Sequence, residues 1–473
     1  MASKPQFFLQ RTFQMNELQK AQKFHFIGIG GSGMSGLARI LVQRGKKVTG
    51  SDETATATTL ALAHENIAVH IGHKTENLPR DSEVVIYTQA VTNQNPEMIE
   101  AHHRGLPQFS YPQAVGQLSE HFETICICGT HGKTTTTAMA AASFMSAGKD
   151  PTVIVGASLK ELDGRNERLG KGEYFILESC EYRRGFLNYY PAIIVLTNVE
   201  ADHLDYYKNL EDYKSAYREL IAKLPKNGFV IANQDDENVR DTLAKIPKKS
   251  SGAKAIWFGK SSSANYVLLG NVIMHKGYKI AELHLQIPGE HNLMNATATI
   301  ALANELKLDL SKVIEAIQAY KGASRRFEEK GHVGKTVIID DYGHHPTEIR
   351  ATLKAAREKF GKNKKILCIF QPHQYSRTFK LLEGFAQAFA DSDEVMIPNI
   401  LAVRDTEADL KSINVETLVK KLSEHHPKVS HGHGLEKTAE TVKKTLSNYD
   451  VVITMGAGDV YKIAESLIKD FKH

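Results

Sequence analysis

The densest group of residues suited to catalysis is Lys133-Thr134, which follows a short glycine loop, Gly129 to Gly132. An apolar run, Ile125 to Cys128, precedes the loop, and an alanine-rich stretch follows it. A strand, a glycine loop and a Lys-Thr pair that opens a helix form a phosphate cradle. Loop amides and the helix N-terminus face the anion, the lysine carries charge, and the hydroxyl can reach Mg²⁺. The glycine spacing departs from the general nucleotide-binding loop, and an ordinary strand-turn-helix is the structural alternative.

A second glycine turn, Gly28-x-Gly30-x-x-Gly33, lies near the start of the chain. It follows an apolar run and is followed by Asp52 about 20 residues on, as in the dinucleotide-binding βαβ unit. The same geometry serves any nucleotide diphosphate, because a helix N-terminus recognises phosphate and not nicotinamide. The turn therefore predicts nucleotide binding, with NAD as one open alternative.

Polar residues also end two predicted strands of the middle third. Tyr174 to Glu181 is predicted as a buried strand that exposes Glu178, and Ala192 to His203 as another that ends in a polar cluster. Ligand sites of parallel α/β sheets form at the carboxyl ends of the strands. Glu178 and His203 are therefore expected to reach a metal held at Thr134; for Glu178 alone, a solvated strand end is the alternative.

Two further patterns complete the candidate sites. Asn292 and Asn295 are three residues apart, on one face of the first turn of a predicted helix, where carboxamides can recognise a base edge; helix capping by Asn292 is the alternative. Residues 337–348 predict a third strand, glycine turn and helix, with Pro346 in the first helical turn. His425-His426 and His431-x-His433 are predicted to be surface residues.

Composition narrows the class of protein. The 473 residues carry 59 Lys and Arg against 54 Asp and Glu, a net charge of +5 without a basic cluster. Nucleic-acid binding is therefore not expected, whereas anionic small molecules suit the charge. The four cysteines lie in or beside apolar runs and are predicted to be reduced core residues. The tail before Phe24 is polar and no run is long enough for a membrane helix, so a soluble, cytoplasmic protein is expected.

Alternating strands and helices predict an α/β protein of three domains. The expected boundaries are residues 1–121, 122–321 and 322–473, with a linker at Tyr320 to Phe327. One strand, glycine turn and helix N-terminus falls in each third. This recurrence suggests an enzyme that joins a phosphorylated substrate to ATP chemistry.

The motifs together resemble those of the Mur ligase family, in order and over nearly the whole chain, and in particular its alanine-adding members. The residues that carry the resemblance are Gly28 to Gly36, Gly129 to Thr134, Asn198 to His203, Glu290 to Asn292, Asp340 to Glu348 and Pro372 to Arg377. The resemblance implies an N-terminal Rossmann-like domain for UDP, a central P-loop-type ATPase domain and a C-terminal Rossmann-like domain. It also implies a reaction in peptidoglycan precursor synthesis. ATP phosphorylates the lactyl carboxylate of UDP-N-acetylmuramate, and the amine of L-alanine attacks the acyl phosphate, with domain closure excluding water.

The resemblance also assigns roles to residues. The catalytic set is Lys133, Glu178, His203, His344 and Arg377, with Thr134, Glu178 and His203 as ligands of Mg²⁺. The ATP-binding set is Gly129, Thr130, His131, Gly132, Lys133, Thr134, Thr135, Asn292, Asn295, Arg326 and Asp341. The UDP-substrate set is Gly30, Gly31, Gly33, Met34, Asp52 and His373. His344 and Arg377 are expected to orient the lactyl and alanine carboxylates, in a monomer or homodimer that binds neither nucleic acid nor membrane.

The chain departs from the family pattern at three points. Glu178-Ser-Cys-Glu181 stands where the family has Glu-Ala-Asp-Glu. Gln374 replaces an arginine, which removes a fixed positive charge. The carbamylated lysine of sister ligases has no assigned position, and Lys214 and Lys223 are candidates by location only. Selectivity for alanine over glycine or serine is left open. The alternatives are a recycling ligase that attaches a tripeptide, a nicotinamide-dependent dehydrogenase and a non-enzymatic nucleotide sensor.

Overall fold

The computed structural model describes residues 16–246 and 254–470. Its contacts divide into two compact units. The first unit runs to Asp202 and adds Asn209–Leu283 and Asn295–Gln318; the second unit consists of His203–Lys208, His284–Met294 and the chain from Ala319 onward. The prediction that the tail before Phe24 lacks a signal region concerns residues that lie largely outside the described ranges.

The first unit begins with a five-stranded parallel sheet in the order β3-β2-β1-β4-β5. This is the strand order of a Rossmann-type sheet, whose ligand crevice lies outside the carboxyl ends of β1 and β4, where the strand order reverses. Its elements are α1 (Glu17–Lys20), β1 (Lys23–Ile27), α2 (Ser32–Gln43), β2 (Lys47–Asp52), α3 (Ala57–His64), β3 (Ala68–Ile71), β4 (Val84–Tyr87), α4 (Pro96–His103), β5 (Gln108–Ser110) and α5 (Tyr111–Ser119), with a 3₁₀ turn at Thr75–Asn77.

A second sheet, of ten strands, and its helices form the rest of the first unit, except that the start of one helix, residues 290–294, belongs to the second unit. Its elements are β6 (Glu123–Cys128), α6 (Lys133–Ser146), β7 (Thr152–Leu159), β8 (Arg165–Arg168), β9 (Tyr174–Glu178), β10 (Pro191–Leu196), α7 (Leu210–Ala222), β11 (Phe229–Asn233), α8 (Glu237–Ala244), β12 (Lys254–Gly259), β13 (Tyr266–Leu269), β14 (Val272–His275), β15 (Tyr278–Glu282), α9 (Glu290–Glu305) and α10 (Leu310–Ala319), with 3₁₀ turns at Lys160–Leu162 and Tyr182–Asn188. The order is β15-β14-β13-β12-β11-β10-β6-β9-β7-β8, parallel in the centre and antiparallel at both edges. The centre therefore brings the ends of β6, β9 and β10 side by side.

The second unit holds a six-stranded sheet in the order β16-β17-β21-β18-β19-β20. Its elements are β16 (Glu328–Val333), β17 (Thr336–Asp341), α11 (Pro346–Phe360), β18 (Ile366–Phe370), α12 (Tyr375–Lys380), α13 (Leu382–Ala386), β19 (Glu394–Ile397), α14 (Glu407–Leu410), α15 (Val415–Ser423), β20 (Val429–His431), α16 (Leu435–Thr445), β21 (Val451–Met455) and α17 (Tyr461–Asp470), with a 3₁₀ turn at Leu446–Asn448. Only β16 is antiparallel to its neighbour.

The third sheet shows why these strands are apolar throughout. Successive residues of β18 alternate between two buried clusters, Cys368 packing with the helices of one face and Ile369 with those of the other. A sheet covered by helices on both faces needs apolar residues at every position, which gives continuous apolar runs instead of alternation. The fold therefore confirms the predicted three-domain α/β class with Rossmann-like terminal sheets.

Several local predictions hold to within a few residues, and others fail. β7 runs to Leu159 and reverses into β8, a hairpin that the sequence did not predict. The strand predicted to reach Glu181 stops at Glu178, so Cys180 is exposed and is not a core residue, unlike the other three cysteines. His426, which was predicted to be a surface residue, is buried, and its ring contacts the Ser392 carbonyl and the Lys428 amide.

Within residues 16–246 and 254–470, no helix is both long and apolar enough to span a bilayer.

Candidate active site

The glycine loop after β6 is held from one side by the chain that follows β10. Thr130 Oγ1 donates to the Glu200 carbonyl at 2.9 Å, and the His131 amide donates to Asn198 Oδ1 at 2.8 Å. The Thr197 hydroxyl in turn donates to the His131 carbonyl at 2.6 Å. Sequence reasoning missed these contacts as loop supports, although the Asn198 to His203 motif had been noted. The loop is therefore fixed before any ligand arrives.

Both glycines of this loop are required by their surroundings. Gly129 and Gly132 have φ of 132° and 80°, in the region that favours glycine. A Cβ on Gly129 would collide with Thr197, and one on Gly132 would lie 2.6 Å from Asn295 Oδ1. Asn295 thus lies directly over the loop, where the sequence predicts an ATP contact.

Lys133 is bound to its own loop. Its Nζ donates to the carbonyls of Gly129 at 2.5 Å and Thr130 at 2.9 Å, and it pairs with Glu181 at 3.2 Å. Burial alone would lower the pKa of Lys133, but the neighbouring Glu181, Cys180 and Glu178 outweigh burial and raise this pKa. The ammonium group therefore remains charged throughout the physiological pH range.

Glu181 is the main residue that sequence reasoning left without a role. Its side chain is fully buried, and it accepts a hydrogen bond from Tyr213 Oη at 2.9 Å, while Tyr217 Oη donates to Tyr213 Oη at 3.1 Å. Burial raises the pKa values of both tyrosines well above their usual range, so both hydroxyls stay protonated. In the sequence, the position of Glu181 three residues after Glu178 was the only indication of such a role.

Glu178 and Thr134 meet as predicted. Thr134 Oγ1 donates to Glu178 Oε1 at 2.9 Å, and the Gly156 amide donates to Glu178 Oε2 at 2.5 Å. Glu178, at the end of β9, is therefore oriented by Thr134 in the first turn of α6, which follows the loop, and by the backbone of β7. A hydroxyl and a carboxylate are hard oxygen donors of the kind that Mg²⁺ prefers, so this pair suits the ion.

The N-terminal glycine turn packs against the same region of the first unit. The Ser32 hydroxyl donates to the Gly156 carbonyl at 3.2 Å, and Asn166 Nδ2 donates to the Ser32 carbonyl at 2.7 Å. Gly156 therefore contacts the N-terminal turn through its carbonyl and Glu178 through its amide. Neither Gly156 nor Asn166 was singled out from the sequence.

Four of the six predicted UDP residues, Gly30, Gly31, Gly33 and Met34, lie at this turn, and Asp52 contacts it. Asp52 Oδ2 accepts the Gly30 amide at 2.8 Å, so Asp52 holds the turn itself. Gly33 lies against the ring of Tyr111, leaving no room for a side chain, and Met34 is buried beneath the turn. Gly31 has only ordinary contacts with Met34.

In the second unit, three predicted residues cluster at the ends of β17 and β18. Arg377 Nη1 lies 3.2 Å from His373 Nδ1, and the His373 ring centre is 6.1 Å from that of His344. Gln374, beside them, is almost fully buried with a φ of 76°, and its Nε2 has no hydrogen-bond partner among the described residues. His373, predicted with the UDP set, thus lies with the two residues predicted for the carboxylates.

Asp341 and Arg326 lie in the same unit. Asp341 accepts the amides of Phe327 and Gly343, each at 2.7 Å, which fixes the turn after β17. Burial raises the pKa of Asp341, an effect that Arg326 partly opposes. The Arg326 guanidinium lies 5.0 Å from the Tyr342 ring centre and 3.9 Å from Glu348.

Two further predicted residues, His203 and Asn292, pack in the second unit, whereas the loop, Glu178 and Asn295 pack in the first. Asn292 does not cap α9: it lies inside the first turn, and its Nδ2 donates to the Pro288 carbonyl at 2.6 Å. His203 has a φ of 52° and begins a turn that its carbonyl closes by accepting the Tyr206 amide.

The two lysines considered for carbamylation have other partners. Lys214 pairs with Asp241 at 3.0 Å, and Lys223 lies 4.9 Å from the Tyr190 ring centre.

Family models match the chain in three parts. The catalytic domain of the Mur ligase family matches residues 23–123, the Mur ligase middle domain residues 127–303 and the Mur ligase glutamate ligase domain residues 325–458.

Curated relatives match nearly the whole chain. The UDP-N-acetylmuramate–L-alanine ligase of Acetivibrio thermocellus is 39% identical over 95% of this chain and 96% of its own length. The enzyme of the same name from Clostridium perfringens is 38% identical over 95% and 98%.

Solved structures agree. The UDP-N-acetylmuramate-alanine ligase of Thermotoga maritima superposes with a TM-score of 0.80 at 29% identity, covering 95% of this chain and 99% of that one. A murein peptide ligase from Psychrobacter arcticus, 23% identical with a TM-score of 0.73 and coverage of 95% and 98%, shares the fold. With relatives of this identity along nearly its full length, the chain belongs to the Mur ligase family.

Proposed function

We propose that the protein is an ATP-dependent ligase that joins L-alanine to the lactyl carboxylate of UDP-N-acetylmuramate, forming ADP and phosphate. The observation that carries the proposal is the charged Lys133 in its fixed glycine loop beside the Thr134–Glu178 pair. The names of relatives that share 37–39% identity over most of the chain support the same substrates. The proposed compartment is the cytoplasm, where ATP is available.

The ATP phosphates are proposed to bind at the loop of Gly129, Thr130, His131 and Gly132, with Lys133 facing the β- and γ-phosphates and Thr135 completing the helix N-terminus. Lys133 must then exchange its loop carbonyls for phosphate oxygens. Asn295 already lies over Gly132, which supports a role near the nucleotide. Asn292, Arg326 and Asp341 complete the proposed ATP set.

Thr134 and Glu178, with His203, are proposed to hold Mg²⁺. When bound, the ion supplies charge neutralisation and orientation of phosphate oxygens. Glu178 is kept in one orientation by two hydrogen bonds, from Thr134 and Gly156, so the carboxylate needs little reorganisation to bind the ion. The buried Glu181 keeps Lys133 beside the loop.

The phosphorylation step makes the amide bond possible. A carboxylate is a poor acylating agent, and phosphoryl transfer to its oxygen creates a leaving group. The attacking oxygen is itself anionic, so the reaction depends on cationic screening and in-line positioning. The alanine amine then attacks the acyl carbon, and phosphate leaves from the tetrahedral intermediate.

The UDP moiety is proposed to bind at the turn of Gly30, Gly31, Gly33 and Met34 with Asp52. His344, His373 and Arg377 are proposed to bind substrate carboxylates or phosphates, since Arg377 and His373 already meet at 3.2 Å. The domain boundaries at residues 121 and 321 remain part of the proposal.

Phosphate release from ATP in the presence of UDP-N-acetylmuramate tests the proposal. Parallel reactions receive L-alanine, glycine, L-serine or the tripeptide, and the nucleotide product is identified by mass. Release that depends on L-alanine is expected. Release only with tripeptide would indicate the recycling ligase, and nucleotide binding without release would indicate a sensor.

A further inference from the structure

Two consecutive arginines follow the predicted metal ligand in a strained conformation. Arg183 has φ and ψ of 49° and 32°, and Arg184 has 55° and 26°, both in the left-handed region. Such conformations are unfavourable for residues other than glycine and persist where the surroundings impose them, often at functional sites. Contacts of the two arginines should therefore account for their left-handed backbone between Glu181 and Gly185.

Arg184 is explained by its partners on α7. Its guanidinium donates to Asp212 Oδ1 at 2.7 Å and Ser215 Oγ at 2.8 Å, and it pairs with Glu219 at 2.5 Å. These contacts anchor the turn to the helix, so Arg184 has a structural role.

Arg183 has no such partner. Its side chain is exposed, its guanidinium lies 5.4 Å from the Tyr182 ring centre, and Nη1 donates to the Gln89 carbonyl at 3.2 Å. Among the described residues, no carboxylate lies within ion-pair distance of it. The strained turn thus presents an unneutralised cation towards the N-terminal sheet.

The point that Arg183 reaches is the carboxyl end of β4. Gln89 follows Thr88, whose amide donates to the Ile27 carbonyl at 3.0 Å and whose side chain would collide with a Cβ on Gly28. Arg183 therefore lies beside the glycine turn proposed to hold UDP, on a segment that begins just after Glu178. A UDP-linked substrate bound at that turn would therefore have Arg183 as a neighbouring cation.

The glycine turn itself lacks a cation for such a substrate. Residues 28–34 contain no Lys or Arg, and Asp52 occupies the Gly30 amide while adding a negative charge. The amides at the helix N-terminus can bind phosphate there, but a full positive charge on the diphosphate has to come from another element, and a charge-assisted hydrogen bond is the stronger kind.

We propose that Arg183 binds an anionic group of the UDP-sugar substrate, either its diphosphate or its lactyl carboxylate. This inference rests on the proposed function and adds a binding residue from the central sheet to the UDP site. The diphosphate and the lactyl carboxylate lie at different positions along the same molecule, so binding of two ligands, of which only one has the carboxylate, distinguishes between them.

The test measures binding of UDP-N-acetylmuramate and of UDP-N-acetylglucosamine, which lacks the lactyl carboxylate, by calorimetry. Arg183→Gln is expected to weaken UDP-N-acetylmuramate binding about 10- to 100-fold, since a charge-assisted hydrogen bond is lost. Arg183→Lys should recover part of the affinity, and the KM for ATP should stay within about two-fold of wild type. Equal losses with both ligands assign the contact to the diphosphate; a loss confined to UDP-N-acetylmuramate assigns it to the carboxylate.

Two variants separate charge from conformation. Arg183→Gly accepts the left-handed backbone without strain, so the thermal midpoint should hold or rise while affinity falls as in Arg183→Gln. Arg80→Gln, which removes another exposed arginine of the first unit, should leave affinity unchanged.

Full affinity in Arg183→Gly or Arg183→Gln would overturn the inference. That outcome is distinct from failure of the proposed function, which would appear as wild-type protein that releases no phosphate with any amino acid.

Discussion

Replacement of Gly156 by alanine would change the position of the Glu178 carboxylate without touching Glu178 itself. A Cβ at residue 156 would lie 2.9 Å from both carboxylate oxygens, which are held by Thr134 and by the Gly156 amide. To reach an ordinary contact distance of about 3.5 Å, the carboxylate must retreat by about 0.5 Å or more. Mg²⁺ tolerates little departure from octahedral geometry at about 2.1 Å, and a misplacement of about 1 Å can cost about 100-fold in rate. We therefore expect kcat to fall about 10- to 100-fold.

The assay is steady-state phosphate release across a magnesium titration, together with thermal denaturation of the protein alone. Because only a flexible carboxylate end has to move, the denaturation midpoint should change little, while the magnesium concentration needed for half-maximal rate should rise. Gly185→Ala is the matched control, since a Cβ at this buried glycine would lie 3.4 Å from Pro112 and 3.8 Å from the Cys180 carbonyl oxygen, both ordinary contacts. Wild-type kcat and magnesium dependence in Gly156→Ala would refute the view that the β7 backbone positions the metal ligand.

Three other substitutions test separate parts of the first unit. Lys133→Ala should abolish phosphate release while UDP-sugar binding persists, because the loop of Lys133 and the N-terminal glycine turn lie on different sheets. Loss of phosphate release together with loss of UDP-sugar binding, measured by calorimetry, would argue against assigning ATP and UDP to these two sheets. Burial alone would raise the pKa of the Glu97 carboxyl, but hydrogen bonds from His25, Ser51 and Asn77 lower it to about 2. Glu97→Gln should therefore cost about 3 kcal/mol at pH 7, a deficit that shrinks as the pH falls from about 4.5 towards 2; a pH-independent deficit in denaturation would contradict this. Burial raises the pKa of Glu167 to about 7 despite Arg39 and Arg165. Glu167→Gln should therefore raise the free energy of unfolding at pH 8 by up to about 3 kcal/mol and change it little near pH 4; equal effects in denaturation at both pH values would exclude ionisation as the cause.

Elements with a strong local pattern could be predicted from the sequence. The strand predicted within residues 337–348 forms as β17, and α11 begins at Pro346. In each case an apolar run or a proline marks the element, and no distant residue has to decide the outcome. The three strand, glycine turn and helix units were visible for the same reason.

The β7–β8 hairpin could not be predicted. Its second strand has the sequence Arg-Asn-Glu-Arg, residues 165–168, which has no apolar alternation and favours a loop. The strand forms because Asn166 and Glu167 are buried against α2, where Asn166 binds Ser32 and Glu167 faces Arg39. Contacts between residues more than 120 positions apart decide this element.

The same limit applies to the site. Lys133, Thr134 and Glu178 stand out by type and by position at a loop or strand end, and the last two meet at 2.9 Å. Gly156 acts through its backbone amide and carbonyl, and Thr197 and Asn198 use their side chains to bind the backbone of the loop. Their roles depend on strand order, and strand order is a property of the folded sheet.

The division of the chain into units also orders events during synthesis. The last segment of the first unit ends at Gln318, whereas the second unit needs the chain from Ala319 onward. Two earlier pieces, His203–Lys208 and His284–Met294, belong to the same compact unit as that later chain. Since a growing polypeptide folds from its N-terminus as segments leave the ribosome, the loop of Lys133 can form while His203 and Asn292 still await their partners. A nascent chain halted near residue 318 should therefore bind nucleotide phosphate at an ordered loop but lack the packed environments of these two residues.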